Sequence, residues 1–414
     1  MLEKKKDREK GIGTKATSED KVESAGESEG TASDEVLVVP YDNLAPLSDD
    51  NLLDKLVVVK FDEASGKNMG FNGPKSLMEV KNGSTHLDLI VNQIQSLNSK
   101  YGCNIPLFLM NSKRTHNDIL KVLEKYSSSD IDIHPFELGE QTKDESIFSE
   151  GGEDEWQSSN HGAQFLSLVN GGTLDVLLSQ GKEYAFVVNP DNVGSVVDPN
   201  ILNHLAQNSI EYCSEVMPTN STGLINVMAS SLHGKFKLED FTSDNTQKFV
   251  KGFKFIDTRN LWLNLKAIKR LVGTSVLGLD SLSNSKLFQK SVGVSIPQSH
   301  FLPLNSTSDL LLLQSDLYTF KEGILVRNDK RVSPSDPHIT LGPKFKKISD
   351  FKTRFKTIPS IVKLDSLEVE GDVWFGADVI LKGKVIIDVD PGQPLRIPDG
   401  AVLEDKEIDS PSDI

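Results

Sequence analysis

Cysteine is nearly missing from this chain. Cys103 and Cys213 are the only two among 414 residues, too few for a disulfide framework, and each lies in an apolar run where a buried thiol is expected. That excludes a small, disulfide-stapled secreted scaffold and points to a reducing compartment. Long apolar runs are missing as well. None approaches the roughly 20 residues that cross a bilayer, and the N-terminus shows no apolar core of the secretory type, so no membrane association is expected and the cytoplasm is the residual assignment. Basic residues are in deficit, 45 against 60 acidic ones for a net charge of -15, which opposes broad attraction to nucleic acid or anionic lipid. A basic pocket for one phosphorylated ligand is compatible with that balance. What is present, 37% apolar and 25% charged residues, suffices for a large core with a smaller second domain.

Residues 1–35 are rich in Lys, Glu, Asp, Ser and Gly and hold almost no large apolar side chains. Such a segment cannot bury enough surface to offset its ordering entropy, so a disordered tail is expected there. From residue 55 the pattern alternates. Strands are expected at 56–61, 105–112, 131–136 and 184–192, the last ending in a polar loop, and helices at 87–101 and 117–126, which together predict a largely parallel sheet covered on both faces. Ligands of open α/β sheets sit at the carboxyl ends of strands, so the loops after Phe61 and Val188 are where chemistry is expected. Residues 137–162 are polar and acidic and are expected to form a long loop.

The last 55 or so residues follow a different rule. Leu367, Val373, Val379 and Val385 recur every six residues, and Val369, Phe375, Leu381 and Ile387 repeat that step two positions later, with Gly371, Gly376 and Gly383 between them. Six-residue recurrence of two inward positions predicts the coils of a β-helix. Its end needs a cover, which makes it the expected contact for oligomerisation.

Several stretches together resemble one family. KFDEASGKNMGFNGPKS (60–76) is similar to the nucleotide-binding loop K-L-N-G-G-L-G-T-x-M-G-C-x-G-P-K-S of the plant-type UDP-glucose pyrophosphorylases. GKEYAFVVNPDNVG (181–194), NLWLNLKAIKRL (260–271), FLPLNSTSDLLLLQSDLY (301–318) and GDVWFGADVILKGKV (371–385) resemble the same family colinearly. The resemblance implies a Rossmann-like, GT-A-like nucleotidyltransferase domain with a mixed sheet (36–357) and a C-terminal left-handed β-helix domain (358–414). It also implies a reversible reaction of UTP with glucose-1-phosphate that yields UDP-glucose and pyrophosphate with Mg2+.

By the same resemblance, Gly66 belongs to the nucleotide loop and Lys75 contacts the UTP phosphates. Asn189, Pro190 and Asp191 meet the substrate, with Asp191 also contacting the nucleotide and holding magnesium, and His161 contacts the sugar phosphate. Three departures stand against normal activity. Glu63 and Ala64 replace the Gly-Gly pair whose missing side chains let backbone amides reach the nucleotide, and Asp62 replaces the neighbouring Asn. A carboxylate about 4 Å from a phosphate charge repels it by about 4 kcal/mol at an effective dielectric near 20. Asn305 stands where the family has an essential lysine, and an amide cannot neutralise developing charge. The reading at this level is a uridylyltransferase-like pseudoenzyme, impaired or inactive, binding UTP, glucose-1-phosphate and UDP-glucose weakly or not at all. It is expected to act as a homo-oligomer or paired with a related pyrophosphorylase; the alternative is an active UDP-glucose pyrophosphorylase.

Overall fold

The computed structural model describes residues 37–62, 66–137, 172–218, 229–230, 238–239, 255–273 and 287–414. Strand β1 is Leu37–Pro40 and β2 is Leu56–Asp62; β3 (Glu79–Lys81) and β4 (Ser84–Thr85) form a short antiparallel hairpin. β5 (Leu107–Asn111), β6 (Ile133–Glu137), β7 (Tyr184–Val188), β8 (Tyr212–Pro218), β9 (Ala229–Ser230), β10 (Leu238–Glu239), β11 (Phe255–Asn264) and β12 (Ser291–Ser295) complete the central region. The main sheet runs β1-β12-β8-β11-β7-β2-β5-β6. Along that path the pairs are parallel except where β11 lies antiparallel to both β7 and β8, and off it β9 lies antiparallel to β11 and β10 to β9, so the sheet is mixed.

β2 reads LVVVKFD and is buried throughout, the pattern of a strand covered on both faces. Alternate side chains enter different cores. Leu56 and Val58 join Leu87, Ile90, Ile94 and Trp262 on one face, while Val57, Val59 and Phe61 join Leu174, Val187 and Leu263 on the other. Lys60 and Asp62 therefore share the face that carries the helix His86–Tyr101. That helix is fixed at its start by a Thr85–Asp88 capping box and ends on Gly102 in the left-handed region, the standard signals for both termini.

The C-terminal region is a β-helix. After the hairpin β13 (Tyr318–Lys321) and β14 (Ile324–Arg327), a parallel sheet stacks β15 (His338–Leu341), β16 (Ser360–Glu370), β18 (Ile380–Asp388) and β20 (Val402–Ile408). A second face pairs β17 (Val373–Phe375) with β19 (Leu395–Ile397) and is extended by the Phe355–Phe375 bridge. Leu367 pairs with Val385 and Val369 with Ile387, so one turn of the coil spans three six-residue steps. All eight side chains expected inward are buried. The stacking begins at β15, ahead of the stretch where the repeat becomes legible, because β15 and Phe355 supply rungs from segments that do not follow the period. Gly371 closes one corner at φ +90, where a Cβ would stand 2.5 Å from the Val389 carbonyl oxygen.

The coil's core continues without a break into the side chains of Met78, Leu89, Leu302, Leu310 and Phe345. Val379 sits within it, 1% exposed, whereas Lys382 points outward to Glu404 at 3.1 Å. Val379→Asp is expected to cost about 3–5 kcal/mol of stability, the usual penalty for an uncompensated buried charge. Lys382→Ala should stay within about 0.5 kcal/mol. Urea denaturation midpoints of the two variants check this, and equal midpoints would contradict the inward assignment.

Candidate active site

Three neighbouring strands, β7, β2 and β5, end together in Val188, Asp62 and Asn111. After β2 the chain folds through short turns at Gly66–Met69 and Lys75–Leu77. Gly66 has a steric reason to be glycine, since a Cβ there would lie 2.7 Å from the Phe71 Cβ. Its N–H donates to the Gly73 carbonyl and its carbonyl accepts from Phe71 N–H, so both backbone groups are engaged inside the loop.

Lys75 comes off this loop, nearly buried, and its Nζ lies 2.6 Å from Asp191 Oδ1 and 2.9 Å from Asn305 Oδ1. Three of the residues singled out from sequence thus meet at one point. A short antiparallel zipper explains the meeting. Asn192 bridges Pro303, Val193 N–H donates to the Leu302 carbonyl, and Leu304 N–H donates to the Asp191 carbonyl. The Asn192 side chain tightens it by donating to the His300 carbonyl and accepting from the N–H groups of Gly194 and Leu302. Asn305 is exposed, and Asp309 Oδ2 accepts its backbone N–H while also capping the helix Thr307–Gln314. The Asp191 side chain keeps 25% exposure, so a ligand can reach it.

Beneath Lys75 lies a second, fully buried layer. Lys60 Nζ and Asp62 Oδ1 are 3.8 Å apart with side chains 0% and 1% exposed. Burial lowers the Lys60 pKa, opposed by Asp62 and Asp191 and reinforced by Lys75. Burial raises that of Asp62, opposed by Lys60. His86 is pushed well below its ordinary value by burial and by the two lysines and is a neutral imidazole bonded to the Pro190 backbone. This corrects one expectation. Asp62 does not stand in the path of a phosphate; the two-residue period of β2 turns it into the core against Lys60. Glu63 and Ala64 lie outside the described residues, as do His161 and almost all of the stretch expected as a long loop.

Asn189 is placed differently from a ligand contact. Its Nδ2 donates to the Thr258 carbonyl, its Oδ1 accepts from Asp191 N–H, and its own N–H donates to Asn260 Oδ1. It shapes the turn that presents Asp191, and Pro190 is buried within that turn. Lys60, His86, Asn192 and Asn260 were not singled out from sequence. The available signal was a polar residue inside an apolar strand, as in LVVVKF, which periodicity alone assigns to the core. Of the two thiols, Cys213 is buried as expected, but Cys103 is only partly so, because it follows the end of the helix His86–Tyr101 rather than lying inside an element.

No group of three or more His, Cys, Asp or Glu side chains capable of holding a metal occurs among the described residues. Magnesium does not require one, because it keeps several waters and is commonly held by one or two carboxylates with substrate phosphates. Asp191, a partly exposed carboxylate at the carboxyl end of a central strand, fits that mode. Among the described residues no helix is long and apolar enough to cross a membrane.

The family model for UTP--glucose-1-phosphate uridylyltransferase matches residues 12–287 and 283–382. The UTP--glucose-1-phosphate uridylyltransferase of Hordeum vulgare is 49% identical over 420 residues, covering 93% of this chain and 89% of the relative. A UDP-glucose phosphorylase structure from Trypanosoma brucei superposes with a TM-score of 0.74 at 28% identity, covering 90% of this chain and 92% of that one. A Leishmania major UDP-glucose pyrophosphorylase structure in complex with UDP-glucose has a TM-score of 0.77 at 23% identity, covering 91% of each chain, and speaks to the fold.

Proposed function

Because this chain belongs to the UTP--glucose-1-phosphate uridylyltransferase family, we propose that it transfers a uridylyl group from UTP to glucose-1-phosphate at the site where Lys75, Asp191 and Asn305 meet. The meeting of Lys75 Nζ with Asp191 at 2.6 Å, at the carboxyl end of the central strands, carries this reading. A phosphate oxygen of glucose-1-phosphate attacks the α-phosphorus, that P–O bond forms, and the bond to pyrophosphate breaks. Lys75 exchanges part of its ion pair for the phosphate oxygens and stabilises the charge that grows on them. Asp191 would hold Mg2+, which supplies charge neutralisation when bound. Asn189 and the buried His86 hold the Asp191 turn in place, and Gly66 lets the loop that carries Lys75 pack against Phe71. His161 is assigned to the sugar phosphate by resemblance alone. The residues assigned to the chemistry precede the coil, whose stacking begins at His338; the two free thiols fit the cytoplasm.

Asn305 sets the rate. It offers Lys75 an amide oxygen where a second cation would serve the phosphates, and loss of one such electrostatic contact costs about 10²–10³ in rate. Against a median enzyme turnover of about 10 per second, UDP-glucose formation is expected at about 0.01–0.1 per second. The same observation favours a second reading, a non-catalytic copy that acts by pairing with a related pyrophosphorylase. The two separate in an assay of the purified chain with UTP, glucose-1-phosphate and Mg2+. Product at that rate supports the first; no product, together with stable co-purification with an active pyrophosphorylase, supports the second.

A further inference from the structure

The turn that presents Asp191 is held from below by a carboxylate that neither the motifs nor the mechanism uses. Glu215 lies in the middle of β8, fully buried, between Cys213 and Met217, which face the same core. Its Oε2 accepts from Asn260 Nδ2 and its Oε1 from the Trp262 indole Nε1–H, each at 2.8 Å. Its backbone carbonyl accepts from Thr258 Oγ1 at 2.8 Å. Both residues reached through β11, Thr258 and Asn260, lie in the irregularity where its register with β8 shifts between Asp257 and Leu261. Arg259 between them sits at φ +62, and Asp257 Oδ1 accepts its N–H at 2.9 Å. Bulges of this kind re-aim side chains near functional sites.

These two residues grip Asn189 from opposite sides. Asn260 Oδ1 accepts Asn189 N–H at 2.9 Å and Ser195 Oγ–H at 3.2 Å, while the Thr258 carbonyl accepts Asn189 Nδ2–H. Asn189 Oδ1 in turn accepts Asp191 N–H at 3.0 Å. An unbroken hydrogen-bonded line therefore runs from the Glu215 carboxylate through Asn260 and Asn189 to Asp191, and from there to Lys75. We propose that Glu215 is a positioning residue for the uridylyl-transfer site, orienting the Asp191 turn through Asn260. The inference rests on the functional reading above.

The chemistry of the line is one-directional. Both Glu215 oxygens face N–H donors, which favours the ionised carboxylate; protonation weakens one oxygen as an acceptor and adds an O–H for which neither donor offers a partner. Burial raises the Glu215 pKa to about 7, opposed by the hydrogen bonds from Asn260 and Trp262 and assisted by the Asp198 and Asp257 carboxylates. The Tyr41 phenol and the Cys213 thiol also feel its charge. The grip on Asn189 is then intact above pH 7 and loosens as the pH falls through it.

Glu215→Gln keeps the shape but places an amide N–H against one of the donors, imitating the protonated form. At pH 8 the variant should lose about 10–100-fold in kcat/KM, the size of effect usual for residues that orient a ligating group, and it should be flat between pH 6 and 8. The wild type should fall toward the variant's level with a midpoint near 7. The Trp262 indole N–H resonance should titrate with that same midpoint in the wild type and stay fixed in the variant. If the variant does not fold, coincidence of the wild-type resonance and activity midpoints decides alone. A Trp262 resonance that does not move between pH 6 and 8, or that moves while kcat/KM does not, overturns the positioning role. If the wild type shows no turnover, UDP-glucose binding by calorimetry replaces kcat/KM. Binding indifferent to Glu215 sinks only this inference, whereas a wild type that neither turns over nor binds sinks the functional reading itself.

Discussion

Replacing Asn305 by lysine should raise kcat by about 10²–10³ with little change in KM. The substitution adds a cation at a position that is exposed and whose backbone N–H is already anchored to Asp309, so the longer side chain has room and the local fold no reason to shift. Its cost is proximity, because Asn305 Oδ1 lies 2.9 Å from Lys75 Nζ. Two ammonium groups would repel in the free protein and be reconciled by a bound triphosphate. That is the asymmetry a catalytic group needs, since only interactions stronger in the transition state than in the ground state accelerate the step. Steady-state kinetics with UTP and glucose-1-phosphate would show it. A gain below threefold would place the limit elsewhere, with Glu63 and Ala64 the first residues to restore.

Asp191→Asn should act in the opposite direction, lowering kcat by about 10²–10³. The change removes the charged partner of Lys75 and the carboxylate assigned to magnesium while keeping the side chain's volume and its backbone N–H bond to Asn189. Stability should fall by about 1–3 kcal/mol, because Asp191 is a quarter exposed but Lys75, only 10% exposed, is left with the neutral Asn305 oxygen as its partner. Kinetics over a magnesium titration, beside thermal melts, separates loss of chemistry from loss of fold. A variant that stays folded and retains more than a tenth of wild-type kcat would remove Asp191 from the mechanism.

The parts of the fold legible in the sequence were those in which periodicity and burial agree. β2, β5 and β7 read as apolar runs because both their faces are covered, and the coil's eight inward positions read directly because each short strand repeats its neighbour's environment. The start of the coil did not, since β15 and Phe355 join it through pairing rather than period. At the site, Lys75, Asp191 and Asn305 were legible as motif residues, yet their contact depends on the zipper between 191–193 and 302–304, which no local pattern encodes. Asp62 was misread because its charge was weighed without its face; two residues after Lys60, it had to share that side chain's core-facing direction. Glu215 and Asn260 escaped notice for a related reason. A carboxylate inside YCSEVMP is anomalous, but its purpose lies in a bulge on another strand.

The measurement that bears most directly on the account is UDP-glucose formation by the purified wild-type chain from UTP and glucose-1-phosphate with Mg2+, with Asp191→Asn run beside it as the blank. Product formed at about 0.01–0.1 per second, and lost in the variant, is the predicted result. Product no faster in the wild type than in the variant would contradict the assignment of uridylyl transfer to the Lys75–Asp191 site.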